Sequence, residues 1–307
     1  MKKAVYYMIC AIVGCWLCAC SCGGADDQSN GAVPPSGNAS SQNQPTDNSP
    51  HNNSGYNMQE TVIAENSQCV FTVTSVDPDG LLGFTVKARC ENRSDRTLMF
   101  SWDECSVNGW MVEPFWAQEV TAGNLSNTQI VFDRDELKRC GITTVDEIEF
   151  ELHIYDSEDW EAEPVVSEDY AIYPTGQTPG SVKSPERAPK AGEQVIADRQ
   201  QFSFIIESAD PEGIMGYTLM CYLENKTDDE LMFSWDDVAV NGVMIDPFWA
   251  AEVEPGKKAY ARISFLEDDL SENAIEAVER IEFRLRVYDA DDWDEPALVD
   301  EVFEYRP

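Results

Sequence analysis

The feature that most constrains what this chain can fold into is an internal duplication. Residues 66–174 and 199–307 align at a constant offset of 133 without a gap, and 45 of the 109 paired positions are identical. The longest matches are Leu98-Met99-Phe100-Ser101-Trp102-Asp103 with Leu231-Met232-Phe233-Ser234-Trp235-Asp236, and Pro114-Phe115-Trp116-Ala117 with Pro247-Phe248-Trp249-Ala250. A repeat of this length is the size of a small domain. Residues 175–198, between the copies, carry Pro, Gly, Ser and Lys and read as a linker. The expectation is two modules of one kind, flexibly joined.

Each copy reads as strands. Cys69, Phe71 and Val73 alternate with Val70, Thr72 and Thr74, and Val86, Ala88 and Cys90 with Thr85, Lys87 and Arg89, a period of two. Asp77-Pro78-Asp79-Gly80 and Asp210-Pro211-Glu212-Gly213 are turn sequences, because proline presets φ and glycine accepts positive φ. Asn108-Gly109 and Asn241-Gly242 have the residues of a type I′ hairpin, which needs positive φ twice. Gly83 and Gly216, near the start of a strand, predict a bulge. Residues 133–140 and 266–274 suit one short helix per copy, and Ile148, Phe150, Leu152 and Ile154 alternate with outward Glu149, Glu151 and His153.

Charge narrows the partners. The chain has 57 acidic and 21 basic residues, a net charge of −36 with both histidines neutral. The two copies carry −15 and −18 of it. A surface this negative repels phosphate backbones and anionic headgroups, which excludes nucleic acid as a partner.

The first residues read as an export signal: Lys2 and Lys3 precede an unbroken apolar run from residue 4 to residue 20. Leu17-Cys18-Ala19-Cys20 resembles the lipobox of bacterial lipoproteins. The resemblance implies a signal peptide over residues 1–19 and a diacylglycerol on Cys20, with Cys15 and Cys22 as alternatives. Residues 20–65 are rich in Asn, Ser, Gly, Gln and Pro and predict a disordered tether.

About eight short strands per copy with one helical turn point to an all-β fold of two tandem Greek-key sandwiches, residues 66–174 and 199–307. The Ser-Trp-Asp, Asn-Gly-x-Met, Pro-Phe-Trp-Ala and Tyr-Asp-x-x-Asp-Trp segments of both copies resemble immunoglobulin-like domains of bacterial surface lipoproteins. That resemblance implies architecture and location only. An up-and-down barrel is the architectural alternative.

Candidate chemistry is sparse. His51 falls in the tether, and His153 is Arg286 in the second copy, so no histidine-based constellation is common to both. No phosphate loop or dinucleotide fingerprint occurs, and the expectation is a non-enzymatic protein without a cofactor. Trp116 and Trp249 form a candidate ligand face for a protein or glycan partner, if their rings are exposed. Trp102 and Trp235 read as core. Asp156, Asp159, Asp289 and Asp292 are weak candidates for Ca2+, and closing a turn through backbone amides is their simpler role.

Cys69, Cys90, Cys105 and Cys140 are candidate disulfide partners, Cys69–Cys90 and Cys105–Cys140 among three pairings, with buried thiols the alternative. The sequence thus predicts a lipid-anchored protein on the extracellular face of a bacterial cell membrane. It would carry two binding or structural modules, or alternatively a Ca2+-dependent carbohydrate- or peptide-binding surface.

Overall fold

A computed structural model describes residues 55–159, 161–292 and 294–307. The export signal, Cys15, Cys20, Cys22, most of the tether, His51, Trp160 and Trp293 lie outside the described residues. Among the described residues no helix is long and apolar enough to cross a membrane.

The first copy contains β1 (Thr61–Glu65), β2 (Cys69–Asp77), β3 (Gly83–Asn92), β4 (Leu98–Val107), β5 (Trp110–Met111), β6 (Ala117–Val120), β7 (Leu125–Asp133), helix α1 (Arg134–Arg139), β8 (Ile148–Asp156) and β9 (Val166–Ile172). The second repeats this order as β10 (Gln194–Asp198), β11 (Phe202–Gly213), β12 (Gly216–Asn225), β13 (Leu231–Val240), β14 (Val243–Met244), β15 (Ala250–Val253), β16 (Lys258–Leu266), α2 (Glu267–Glu272), β17 (Ile281–Asp289) and β18 (Val299–Tyr305). In each copy one sheet runs β1-β2-β3-β7 or its equivalent β10-β11-β12-β16. The other runs β5-β4-β8-β9 or β14-β13-β17-β18.

The inward faces of the two sheets meet around one core per copy. Phe71, Val86 and Phe132 from the first sheet pack with Leu98, Phe100, Trp102 and Phe150 from the second, and Phe204, Phe233, Trp235 and Phe283 do the same in the second copy. Trp102 stacks on Phe150 at 3.8 Å and Trp235 on Phe283 at 3.7 Å between centroids, so both tryptophans are core residues as expected. Asp133 caps α1 by accepting from the N–H groups of Asp135 and Glu136, satisfying two of the donors that a helix start leaves open. The hairpins at Asn108-Gly109 and Asn241-Gly242 have positive φ at both residues.

Several boundaries differ from the sequence reading. Part of the predicted tether belongs to the fold: β1 occupies Thr61–Glu65, and the Tyr56 ring packs 5.5 Å from Phe84 while its hydroxyl accepts from Val145 N–H. One aromatic anchor and a five-residue edge strand suffice to hold a polar segment. Likewise β10 occupies Gln194–Asp198 at the end of the predicted linker. The bulge expectation holds at one of the two glycines: the β11–β12 register shifts between Asp210 and Gly213, where Gly213 stands opposite Gly216, whereas no shift falls at Gly83, and the β3–β7 and β12–β16 registers run unbroken past both. A Cβ there would lie 2.0 Å from Phe132 O and 2.2 Å from Phe265 O, so the glycines permit a close backbone approach.

The largest departure concerns the joint. The copies are not loosely tethered: β5 of the first pairs in parallel with β16 of the second, Trp110 opposite Lys258 and Met111 opposite Ala259, which makes one nine-stranded sheet. Trp110 is fully buried, stacked at 4.8 Å on Tyr260 and tilted against Tyr222, and its Nε1 donates to Pro185 O. Beside it, Glu207 is 2% exposed and is held by Lys190 at 2.6 Å, Arg187 at 3.2 Å and Arg139 at 3.9 Å. A buried carboxylate persists only with such compensation. The predicted linker therefore supplies Pro185, Arg187 and Lys190 to the seam.

Trp110→Ala is expected to cost about 3–5 kcal/mol, as for other buried aromatic truncations. Scanning calorimetry should then resolve two transitions where the parent gives one, because each copy keeps its own core.

Candidate functional site

The seam opens on one side into a cavity of about 390 Å³. Its walls carry five carboxylates, Glu104, Glu149, Glu151, Asp169 and Glu254, and one cation, Lys257, whose ammonium is bound to Glu149. The first copy contributes the outward face of β4, β8 and β9, and the second contributes the turn between β15 and β16.

Local structure aims these groups. The β4–β8 register shifts between Asp103 and Ser106, and within that bulge Glu104 takes a φ of 53°. Positive φ at a non-glycine residue is strained, and bulges at sheet rims commonly re-aim a side chain. The equivalent Asp237, with φ of 51°, instead pairs with Arg284 at 2.9 Å. Glu151, expected outward on β8, is only 7% exposed. Its Oε1 accepts from Ser167, while its Oε2 has no hydrogen-bond partner among the described residues.

Glu230, at the start of β13, completes a trio: carboxylate oxygens of Glu104, Glu230 and Glu254 all lie within 4.8 Å of one another. Burial pushes the Glu254 carboxyl up to about 8, helped by the charges of Glu230, Glu104, Asp169 and Glu252. Folding thus favours its protonated form. The contribution to stability is full below the ordinary value near 4.5 and is lost as pH rises through about 8.

The residues singled out from sequence lie elsewhere. Trp116 and Trp249 are half-buried, with Trp116 Nε1 donating to Thr128 at 2.9 Å and Trp249 packed edge-on to Phe204 and Trp235, so neither ring forms an open ligand face. The exposed aromatics are their neighbours: Phe115 is 86% and Phe248 78% exposed, with φ of 43° and 51°. Asp156 accepts from Glu158 N–H and lies 3.3 Å from Arg96, Asp289 accepts from Asp291 and Asp292 N–H, and Asp292 accepts from Asp294 N–H. The backbone of Asp159 closes the same turn, bonding Asp156 O and accepting from Ala162 N–H. These are turn contacts, and the four aspartates do not join the trio.

Cys69, Cys90, Cys105, Cys140 and Cys221 are buried free thiols. Register explains why the first two are not joined: Cys69 stands opposite Asn92 and Cys90 opposite Phe71, a diagonal rather than a facing pair. Burial pushes the thiols of Cys69 to about 11 and of Cys90 and Cys140 to about 12, and raises those of Cys105 and Cys221 as well.

No sequence motif marks the acidic trio. A comparison of the copies does: Glu230 and Glu254 replace Thr97 and Thr121, so the acids appear only in the copy whose turn closes the cleft.

No protein-family model and no curated protein matches the sequence. Among solved structures the chain is similar to a Salmonella enterica SafA pilin in complex with the SafB chaperone, at 12% identity and a TM-score of 0.22, covering 80% of this chain and 98% of that one. It is also similar to the YadV chaperone, at 8% identity and a TM-score of 0.20, covering 78% and 100%. Likeness at this level assigns no function.

Two measurements check the site. The stability gain of Glu254→Gln over the parent, read from urea midpoints, should widen as pH is raised from about 5 to about 9. Iodoacetamide at about pH 8 should leave the five thiols unlabelled in the native protein and label them after denaturation, as read by peptide mass mapping.

Proposed function

We propose that the chain is a lipid-anchored protein of the extracellular face of a bacterial cell membrane. On this reading its two modules are immunoglobulin-like Greek-key sandwiches that bind a protein or glycan partner without catalysing a reaction. Lipid on Cys20 would hold the protein at the membrane, and residues 20–54 would space the modules from it.

The observation that carries the binding role is Phe115 with Phe248. Each copy holds a large aromatic side chain in solvent, on a backbone of positive φ. Exposure of the ring contributes nothing to folding, and a left-handed non-glycine residue costs about 1–3 kcal/mol. A feature that the fold disfavours, present at the same position twice, is accounted for by contact with something outside the chain. Leu81-Leu82 and Ile214-Met215, exposed at equivalent hairpin tips, add apolar surface of the same repeated kind.

Displaced carboxyl pKa values also occur in general acid–base catalysis. In the cleft the displacement follows from burial and crowding of like charges, and no histidine or cysteine lines the cavity. Binding is therefore the better reading.

The test is the double variant Phe115→Gly, Phe248→Gly. Glycine accepts positive φ, so its melting temperature should match or exceed the parent's. Retention of a native-surface partner, read by cross-linking capture on intact cells and mass spectrometry, should fall at least about tenfold, as for interface aromatics generally. A variant that melts early would identify the rings as structural and remove the reading. In the same cells Cys20→Ala should abolish incorporation of labelled palmitate.

A further inference from the structure

We propose that β7 is a self-association edge, through which two copies of the chain pair antiparallel about a two-fold axis. The sheets end on β1, β7, β9, β10, β14 and β18. Proteins protect such edges with charged side chains, proline, bulges or extreme shortness, because free N–H and C=O groups recruit another strand. β1 ends on Glu65 and β10 on Asp198, β9 carries Glu168 and Asp169, β18 carries Asp300, Glu301 and Glu304, and β14 has two residues. β7 has none of these devices. It is nine residues long, contains no proline, keeps an unbroken register with β3, and carries no charge from Leu125 to Phe132.

The free groups can be named. Asn124 O accepts from Asn92 N–H beside β3, so strand alternation turns the N–H and C=O of Leu125, Asn127, Gln129 and Val131 the other way. The equivalent edge in the second copy shows that such groups accept a strand. Lys258, in the place of Leu125, donates its N–H to Gly109 O at 3.1 Å across the seam. On β16 that edge is taken. On β7 the corresponding side chains stand in solvent: Leu125 is 49% exposed, and Asn127 and Gln129 are exposed as well.

Register and charge commit the occupant to a second copy. With the axis at Thr128, Leu125 of each copy faces Val131 of the other, and Asn127 faces Gln129. All four have outward backbone groups, so each facing pair exchanges two hydrogen bonds. An apolar pair then flanks an amide pair on each side of the axis, and Thr128 faces its own equivalent, a favourable cross-strand match.

Copies of a −36 chain repel one another, and like charges facing across a ladder add to that cost. Pairing β9 or β18 with itself brings carboxylates together, whereas β7 brings none. Asp133 falls beyond the paired span, and its carboxylate caps α1. A head-to-tail occupant, β14 of another chain, has Val243 where Trp110 fills the seam. The two-fold pairing would join two four-stranded sheets into one of eight. It concerns β7 alone and stands whether or not Phe115 and Phe248 bind a partner.

The test is sedimentation of the full chain in density-matched detergent from about 1 to about 200 µM, where a small interface associates. The expected result is a monomer–dimer equilibrium at least about threefold stronger in about 0.5 M than in about 0.1 M NaCl, since salt screens the repulsion. Asn127→Asp with Gln129→Glu sets acids face to face on both sides of the axis and should weaken the dimer at least about tenfold. Asn127→Asp with Gln129→Lys sets each acid opposite a cation and should dimerise at least as well as the parent. Both positions are exposed, so thermal melts of the variants should match the parent's. A chain that stays monomeric at about 200 µM in both salts overturns the proposal and leaves the edge to a strand of another protein. A dimer that the double acid leaves unchanged, or that both double variants weaken equally, overturns it too, because its contact lies elsewhere or in another register.

Discussion

The parallel pairing of β5 with β16 is the contact on which the rest of the architecture depends. Without it Trp110 would stand in solvent, Pro185 would lose the donor from the indole, and Glu207 would be stripped of Arg139 and the two linker cations. The acidic cleft exists only because this seam presses the β15–β16 turn against the outer face of β8. Two modules that would otherwise move independently become one body with a composite surface.

The seam is head-to-tail, the outer edge of one sheet meeting a different edge of the next copy. Repeated indefinitely, such an arrangement makes a ring where the rotation closes and a filament where it does not. Here the equivalent edges β14 and β7 carry different side chains. Val243 stands for Trp110, Asn127 for Tyr260, Arg89 for Tyr222 and Thr74 for Glu207. The stacking rings and the buried charge are therefore present once per chain, which confines strong head-to-tail pairing to the internal joint.

Much of the fold was legible in the sequence because it rests on local rules. Alternation along β3 and β8 and the Asn-Gly hairpins each reflect a backbone preference acting over a few residues. The site was not legible for the opposite reason. Glu104 is one acid among 57 until a bulge turns it, and Glu151 reads as an outward residue yet is buried beside Ser167 of the neighbouring strand. In the sequence Trp116 reads as an aromatic in a connection. Yet its ring fills the core edge while Phe115, one residue earlier, projects, because positive φ reverses the direction of the side chain.

By itself the sequence determined that a β-rich module is present twice and that its surface is strongly anionic. It also determined which alternating residues face each core, since burial of apolar side chains and turn chemistry are written residue by residue. Tertiary structure alone decided that the copies share a sheet, that a polar linker supplies cations to a buried glutamate, and that three distant acids converge. Those outcomes depend on which faces meet, and a contact between segments more than a hundred residues apart leaves no periodic trace in either of them.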